Sequence, residues 1–155
     1  MNLSALIVDH NIESGEISKD MLFGTEMFDE VVHVDNSKDA LKLCEEKTFN
    51  LVAVDYNLDN GMTGTELIRK IIEKNPNTIG ILLTSSEVSA REAMDSGVVG
   101  YLMKPVDTEN LVLELSRALQ RHSFRLCMRH AARIIQETTN EFREQFNSRN
   151  TKATI

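Results

Sequence analysis

Several polar side chains in this sequence stand where apolar runs stop. Leu3 to Val8 runs into Asp9 and His10, Leu51 to Val54 into Asp55, Ile79 to Leu83 into Thr84 and Ser85, and Gly100 to Met103 into Lys104. An aspartate can act as a nucleophile and form an acyl phosphate. The incoming phosphoryl group is anionic, so the carboxylate would repel it. A hard divalent cation with oxygen ligands, usually Mg2+, bridges the two. An ammonium group and a hydroxyl can hold the remaining phosphoryl oxygens. Asp9, Asp55, Lys104 and Thr84 supply those types, if the fold gathers them from positions up to 95 residues apart.

The elements between them say that it does. A short apolar run closed by a polar residue reads as a strand buried on both faces. Val31 to Val34 is a further run of this kind. A helix is expected over 12–23, with Ile12, Ile17, Met21 and Leu22 at loosely helical spacing. Ser37 is placed to cap the next helix, which turns Ala40, Leu41, Leu43 and Cys44 inward. After the loop from Tyr56 to Gly64, the stripe Leu67, Ile68, Ile71, Ile72 marks an amphipathic helix, and Asn75-Pro76-Asn77 stops it. A short helix over 88–96 ends at Gly97. Asp107 can cap a helix that opens near Thr108 and buries Leu111, Val112, Leu115 and Leu119.

Five strands alternating with five helices imply an α/β fold: a doubly wound parallel sheet with helices on both faces. In such a sheet ligands bind outside the carboxyl ends of the strands, which brings Asp9, His10, Asp55, Thr84 and Lys104 to one edge. No Gly-x-Gly-x-x-Gly follows the first strand, so a dinucleotide site has no support.

The set Val8-Asp9, Asp55-Tyr56-Asn57-Leu58, Gly64, Thr84-Ser85, Gly97, Tyr101 and Lys104-Pro105 resembles the receiver domain of two-component response regulators. The resemblance covers residues 3–120 and implies a flavodoxin-like sheet in the order 2-1-3-4-5. It implies Asp55 as phosphoacceptor, Thr84 and Lys104 as phosphoryl contacts, and Mg2+ held by Asp9, Asp55 and the backbone carbonyl of Asn57. Tyr101 would be an aromatic switch moving with Thr84, and Lys104-Pro105 a cis peptide. The implied partners are a sensor histidine kinase or phosphotransfer protein and a downstream effector.

One position departs from the family pattern. His10 stands where a second acid usually ligates the metal directly. Imidazole is a poorer partner for Mg2+ than oxygen, so the site is expected to bind Mg2+ weakly and to tolerate Mn2+ better. A protonated His10 could instead contact the phosphoryl group. Asp59 stands where proline is common. The alternative is a pseudo-receiver, the same fold serving only as an interaction surface because His10 weakens the metal site. An aspartyl phosphohydrolase is disfavoured, because that class places an acid two residues past its nucleophile and this chain has Asn57 there.

The expected organisation is a receiver at 1–120, a helical extension at 121–147 and a disordered tail at 148–155. The 155 residues suit one core with an appendage. The chain carries a net charge of -7, which divides into -11 over residues 1–119 and +4 over 120–155. A nucleic acid could therefore meet only the tail, and some 35 residues are too few for a helix-turn-helix with its own core, so direct DNA binding is not expected. With no apolar run near the ~20 residues a bilayer demands and no signal peptide, a cytoplasmic protein is expected. Cys44 and Cys127 read as reduced core thiols, and His33, His122 and His130 as surface residues.

Beyond residue 119, Met128, Ala131, Ile135, Phe142 and Phe146 form an apolar seam. Arg117, Arg121, Arg125, Arg129 and Arg133 recur every four residues. The stripe reads as a solvated face, a dimer seam or a dock for an acidic partner. A homodimer is expected through the face shared by the helix over 88–96 and the helix that opens near Thr108, or through the C-terminal helix.

Overall fold

The computed structural model describes residues 2–58 and 61–152, with only the backbone for 88–90, 124–126 and 150–152. Asp59 and residues 153–155 lie outside the described residues.

Five strands form one parallel sheet in the order β2-β1-β3-β4-β5: β1 Ser4–Val8, β2 Glu30–Val34, β3 Leu51–Asp55, β4 Ile79–Thr84 and β5 Gly100–Met103. In β1, β3 and β4 the apolar runs are near-continuous because both faces are covered, and alternate side chains enter different cores. Ala5, Ile7, Leu51, Ala53, Ile81 and Leu83 belong to one cluster with Leu22, Leu111 and Leu115. Leu6, Val8, Val52, Val54 and Leu82 belong to the other, with Ala40, Leu67, Ile68 and Ala93. Helices α1 (Ile12–Gly24) and α5 (Thr108–Lys152) thus supply one layer, and α2 (Ser37–Glu46), α3 (Gly64–Lys74) and α4 (Glu87–Asp95) the other.

Several expectations are corrected at the level of single side chains. Asn36, not Ser37, caps α2, accepting from the Asp39 amide, while Ser37 is buried in the first turn. Asp107 does cap α5, accepting from the Asn110 amide at 2.8 Å. On α5, however, Val112 and Leu119 are exposed and Ala118 is fully buried. Cys127 is exposed and so is not a core thiol, whereas Cys44 is half-buried; both are unbridged. His33 is not a surface residue, since its side chain is only 5% exposed.

Close packing divides the chain into Met1–Arg121 and His122–Ile155. The helix that begins at Thr108 continues to Lys152, past residue 147 where a disordered tail was expected. Every described residue from Cys127 to Arg149 is exposed.

The arginine series does not form one uncommitted basic face. Arg121 donates to the Val99 carbonyl at 2.8 Å and pairs with Glu114 at 3.0 Å, and Arg117 approaches the same carboxylate at 3.8 Å. Arg133 pairs with Glu137 at 3.8 Å. The side chain of Arg125 lies outside the described residues.

Candidate phosphoacceptor site

The register of the sheet sets the neighbours. Val8 pairs with Val54, so Asp9 and Asp55 leave adjacent strands side by side. Asp55 pairs with Leu83, which places Thr84 one residue further along the next strand. Thr84 pairs with Met103, and Lys104 follows. The Lys104-Pro105 peptide is cis, as the resemblance implied.

Lys104 joins the two acids. Its Nζ lies 2.8 Å from Asp9 Oδ2 and 3.2 Å from Asp55 Oδ2. Asp9 is fully buried and Asp55 is 5% exposed. Two carboxylates side by side in a poorly solvated position repel each other, and the shared ammonium offsets that repulsion. Burial alone pushes the Asp9 carboxyl up. Hydrogen bonds from Lys104, the Ser14 hydroxyl and the Asn11 amide outweigh burial and hold it below the ordinary value of 3.8. Ser14 Oγ donates to Asp9 Oδ2 at 2.8 Å and the Asn11 amide to Oδ1 at 3.0 Å.

His10 is built into the same edge. Its Nδ1 is 2.9 Å from the Asn57 carbonyl and 3.4 Å from Asp55 Oδ2. A carbonyl only accepts, so Nδ1 carries the hydrogen. One ligand atom each from Asp9, His10 and Asp55 lie within 4.8 Å of one another. The Asp9 and Asp55 carboxylates and the Asn57 carbonyl are oxygen donors of the kind Mg2+ uses. His10 already engages two of those three groups.

Thr84 is buried at the strand end. Its hydroxyl accepts from the Ser86 amide at 3.0 Å and donates to the Ser86 carbonyl at 3.2 Å. Tyr101 points outward at 38% exposure. Gly64 is demanded by close approach, because a Cβ there would lie 2.2 Å from the Asp55 carbonyl oxygen.

Sequence reasoning missed three supporting residues. Ser14 binds Asp9 from the first turn of α1. His33 reaches the Asp9 carbonyl through Nε2 at 3.0 Å and Glu16 through Nδ1 at 2.9 Å. His33 and Lys19 hold the exposed Glu16 carboxyl below its ordinary range. Gly15 makes room for this ring, since a Cβ there would sit 2.1 Å from Nε2. Tyr56, next to Asp55, donates its hydroxyl to Glu92 of α4 at 2.9 Å. A small residue inside an otherwise ordinary helix was the one available hint of the His33 contact.

A parallel sheet in this order, with two acids and a lysine meeting at its carboxyl edge, defines a class of signalling domain. Residues 5–116 match the response regulator receiver domain family, and the chain belongs to that family. It is 36% identical over 116 residues to the transcriptional regulatory protein ZraR of Klebsiella oxytoca, covering 74% of this chain and 26% of that protein. It is 26% identical over 121 residues to a cyclic di-GMP phosphodiesterase of Thermotoga maritima, covering 72% of this chain and 32% of that one. A CheY-like receiver domain protein from Methanospirillum hungatei JF-1 superposes with a TM-score of 0.69 at 25% identity, over 81% of this chain and 99% of that one. The chain spans about a quarter to a third of these two curated relatives. Among the described residues no helix is long and apolar enough to cross a membrane.

Proposed function

We propose that Asp55 accepts a phosphoryl group from a histidine kinase or phosphotransfer protein, and that the change is passed to an effector through the surface around α4, β5 and α5. The observation that carries this reading is Lys104 bonded to two buried carboxylates at once. Such an arrangement places a cation beside Asp55, where a phosphoryl oxygen arrives.

In the transfer, an Asp55 carboxylate oxygen forms a bond to phosphorus as the donor's P–N bond breaks. Lys104 then exchanges its contact with Asp55 for a phosphoryl oxygen. Thr84 leaves Ser86 and donates to another. Asp9, Asp55 and the Asn57 carbonyl are the groups that would hold Mg2+ or Mn2+, more weakly than in receivers with a second acid in place of His10. When bound, the cation offsets the charge between carboxylate and phosphoryl group. Movement of Thr84 frees space for Tyr101 to turn inward. The added charge of about -1.5 to -2 drives these shifts. The domain carries information and is not itself a turnover enzyme, and it works in the cytoplasm. A groove of about 490 Å3 lined by Ser14, Ile17, Lys104 and Pro105 opens beside the site and suits an approaching donor protein.

A second reading is favoured by one contact. His10 Nδ1 lies on the Asn57 carbonyl and near Asp55, where a cation would bind. On this reading the domain is a pseudo-receiver that binds partners without being phosphorylated. Treating the full chain with acetyl phosphate, with and without Mg2+, separates the two. A hydroxylamine-labile phosphate mapped to Asp55 supports the first. No label under either condition leaves the second.

A further inference from the structure

We propose that two copies of this chain associate through a parallel coiled coil formed by the distal half of α5. Along this helix Met128, Ala132, Ile135, Thr139, Phe142 and Phe146 follow one another at spacings of 4, 3, 4, 3 and 4. That is the a/d pattern of a heptad repeat, and at 100° per residue all six fall within a narrow stripe. The large members are bare. Met128 is 54% exposed, Ile135 66%, Phe142 70% and Phe146 57%.

This segment has little to hold it helical by itself. Thr138, Thr139, Asn140, Phe142, Asn147 and Ser148 are weak helix formers. The hydroxyls of Thr138 and Thr139 bond back to the carbonyls of Ile134 and Ile135 at 2.9 and 2.8 Å, contacts that tend to bend a helix. Helical stability in such a segment comes from burying its apolar face.

The repeat and the charges select a second copy. A 3.5-residue period is matched by a helix of the same period, and this chain supplies one. Arg133, Glu137 and Glu144 lie away from the seam. Arg129 and Arg143 flank it on one side, and Ala131, Thr138 and Gln145 flank it on the other. In a parallel pair these flanks meet each other, so Arg143 faces a neutral Thr138 of the second copy. An antiparallel pair would bring Arg129 against Arg143 and place like charges together. A basic partner would meet Arg129 and Arg143 as like charges beside the seam.

The test is the mass of the full chain in solution by light scattering, with spin labels on Cys127 in a Cys44→Ser background. The expected result is two chains per particle, and a single chain for the Ile135→Asp/Phe142→Asp variant with the thermal transition of the sheet domain unchanged. A parallel pair puts the two labels side by side; an antiparallel one puts them about 30 Å apart along the axis. A wild-type monomer, a variant that still pairs, or widely separated labels would each overturn the proposal.

Discussion

His10 Nδ1 donates to the Asn57 backbone carbonyl at 2.9 Å, linking the ends of β1 and β3 directly. The same ring nitrogen is 3.4 Å from Asp55 Oδ2. An imidazole thus occupies contacts that a divalent cation would make. Replacing it by a carboxylate returns an oxygen ligand and a negative charge to the site. His10→Asp is expected to tighten Mg2+ binding by about tenfold or more, measured by calorimetric titration. Equal affinities in the two proteins would place position 10 away from the metal.

Lys104 has a different role, since it offsets two buried charges. Lys104→Met leaves Asp9 and Asp55 facing each other without a cation. A loss of about 2–4 kcal/mol is expected at neutral pH, read as a lowered urea midpoint. The pH dependence has a definite sign. The Asp9 carboxyl is held below 3.8, so its contribution is present above that value and is lost as pH falls through the lower native one. Removing Lys104 raises the native value, so the variant should begin to lose stability at higher pH than the wild type.

Gly64 opens α3 against the carbonyl of Asp55. Its missing Cβ would lie 2.2 Å from that backbone oxygen, which cannot move without shifting Asp55 itself. Gly64→Ala should cost about 2 kcal/mol or more in chemical unfolding, despite alanine's better helix propensity. A neutral substitution would mean that the turn from Tyr56 to Gly64 adapts freely.

The two cysteines should differ in reactivity. Burial pushes the Cys44 thiol up to about 11, while Cys127 is exposed. At pH 8 a disulfide reagent should modify one thiol quickly in the native protein and two after denaturation. Two fast thiols would contradict the packing of α2.

Much of this architecture was visible in the residue pattern. The central strands β1, β3 and β4 are buried on both faces, so they appear as near-continuous apolar runs whose polar termini mark the sheet edge. That is why Asp9, Asp55 and Thr84 are legible as neighbours in the residue pattern, with Lys104 joining them from the end of β5. Side-chain detail was less accessible. Asn36 and Ser37 are both good caps one residue apart, and only the hydrogen bond to Asp39 separates them. Val112 and Leu119 share a helix with Leu111 and Leu115, but the face that meets the sheet includes the small Ala118 instead. His33 looked like a surface residue because its partners, Asp9 and Glu16, come from other elements.

The most direct measurement is the intact mass of the full chain after treatment with acetyl phosphate and Mg2+, for wild type and Asp55→Asn side by side. The wild type should gain one phosphoryl group and lose it in hydroxylamine, while Asp55→Asn should gain none. Equal labelling of the two proteins would put the acceptor at another residue and contradict the role assigned to Asp55.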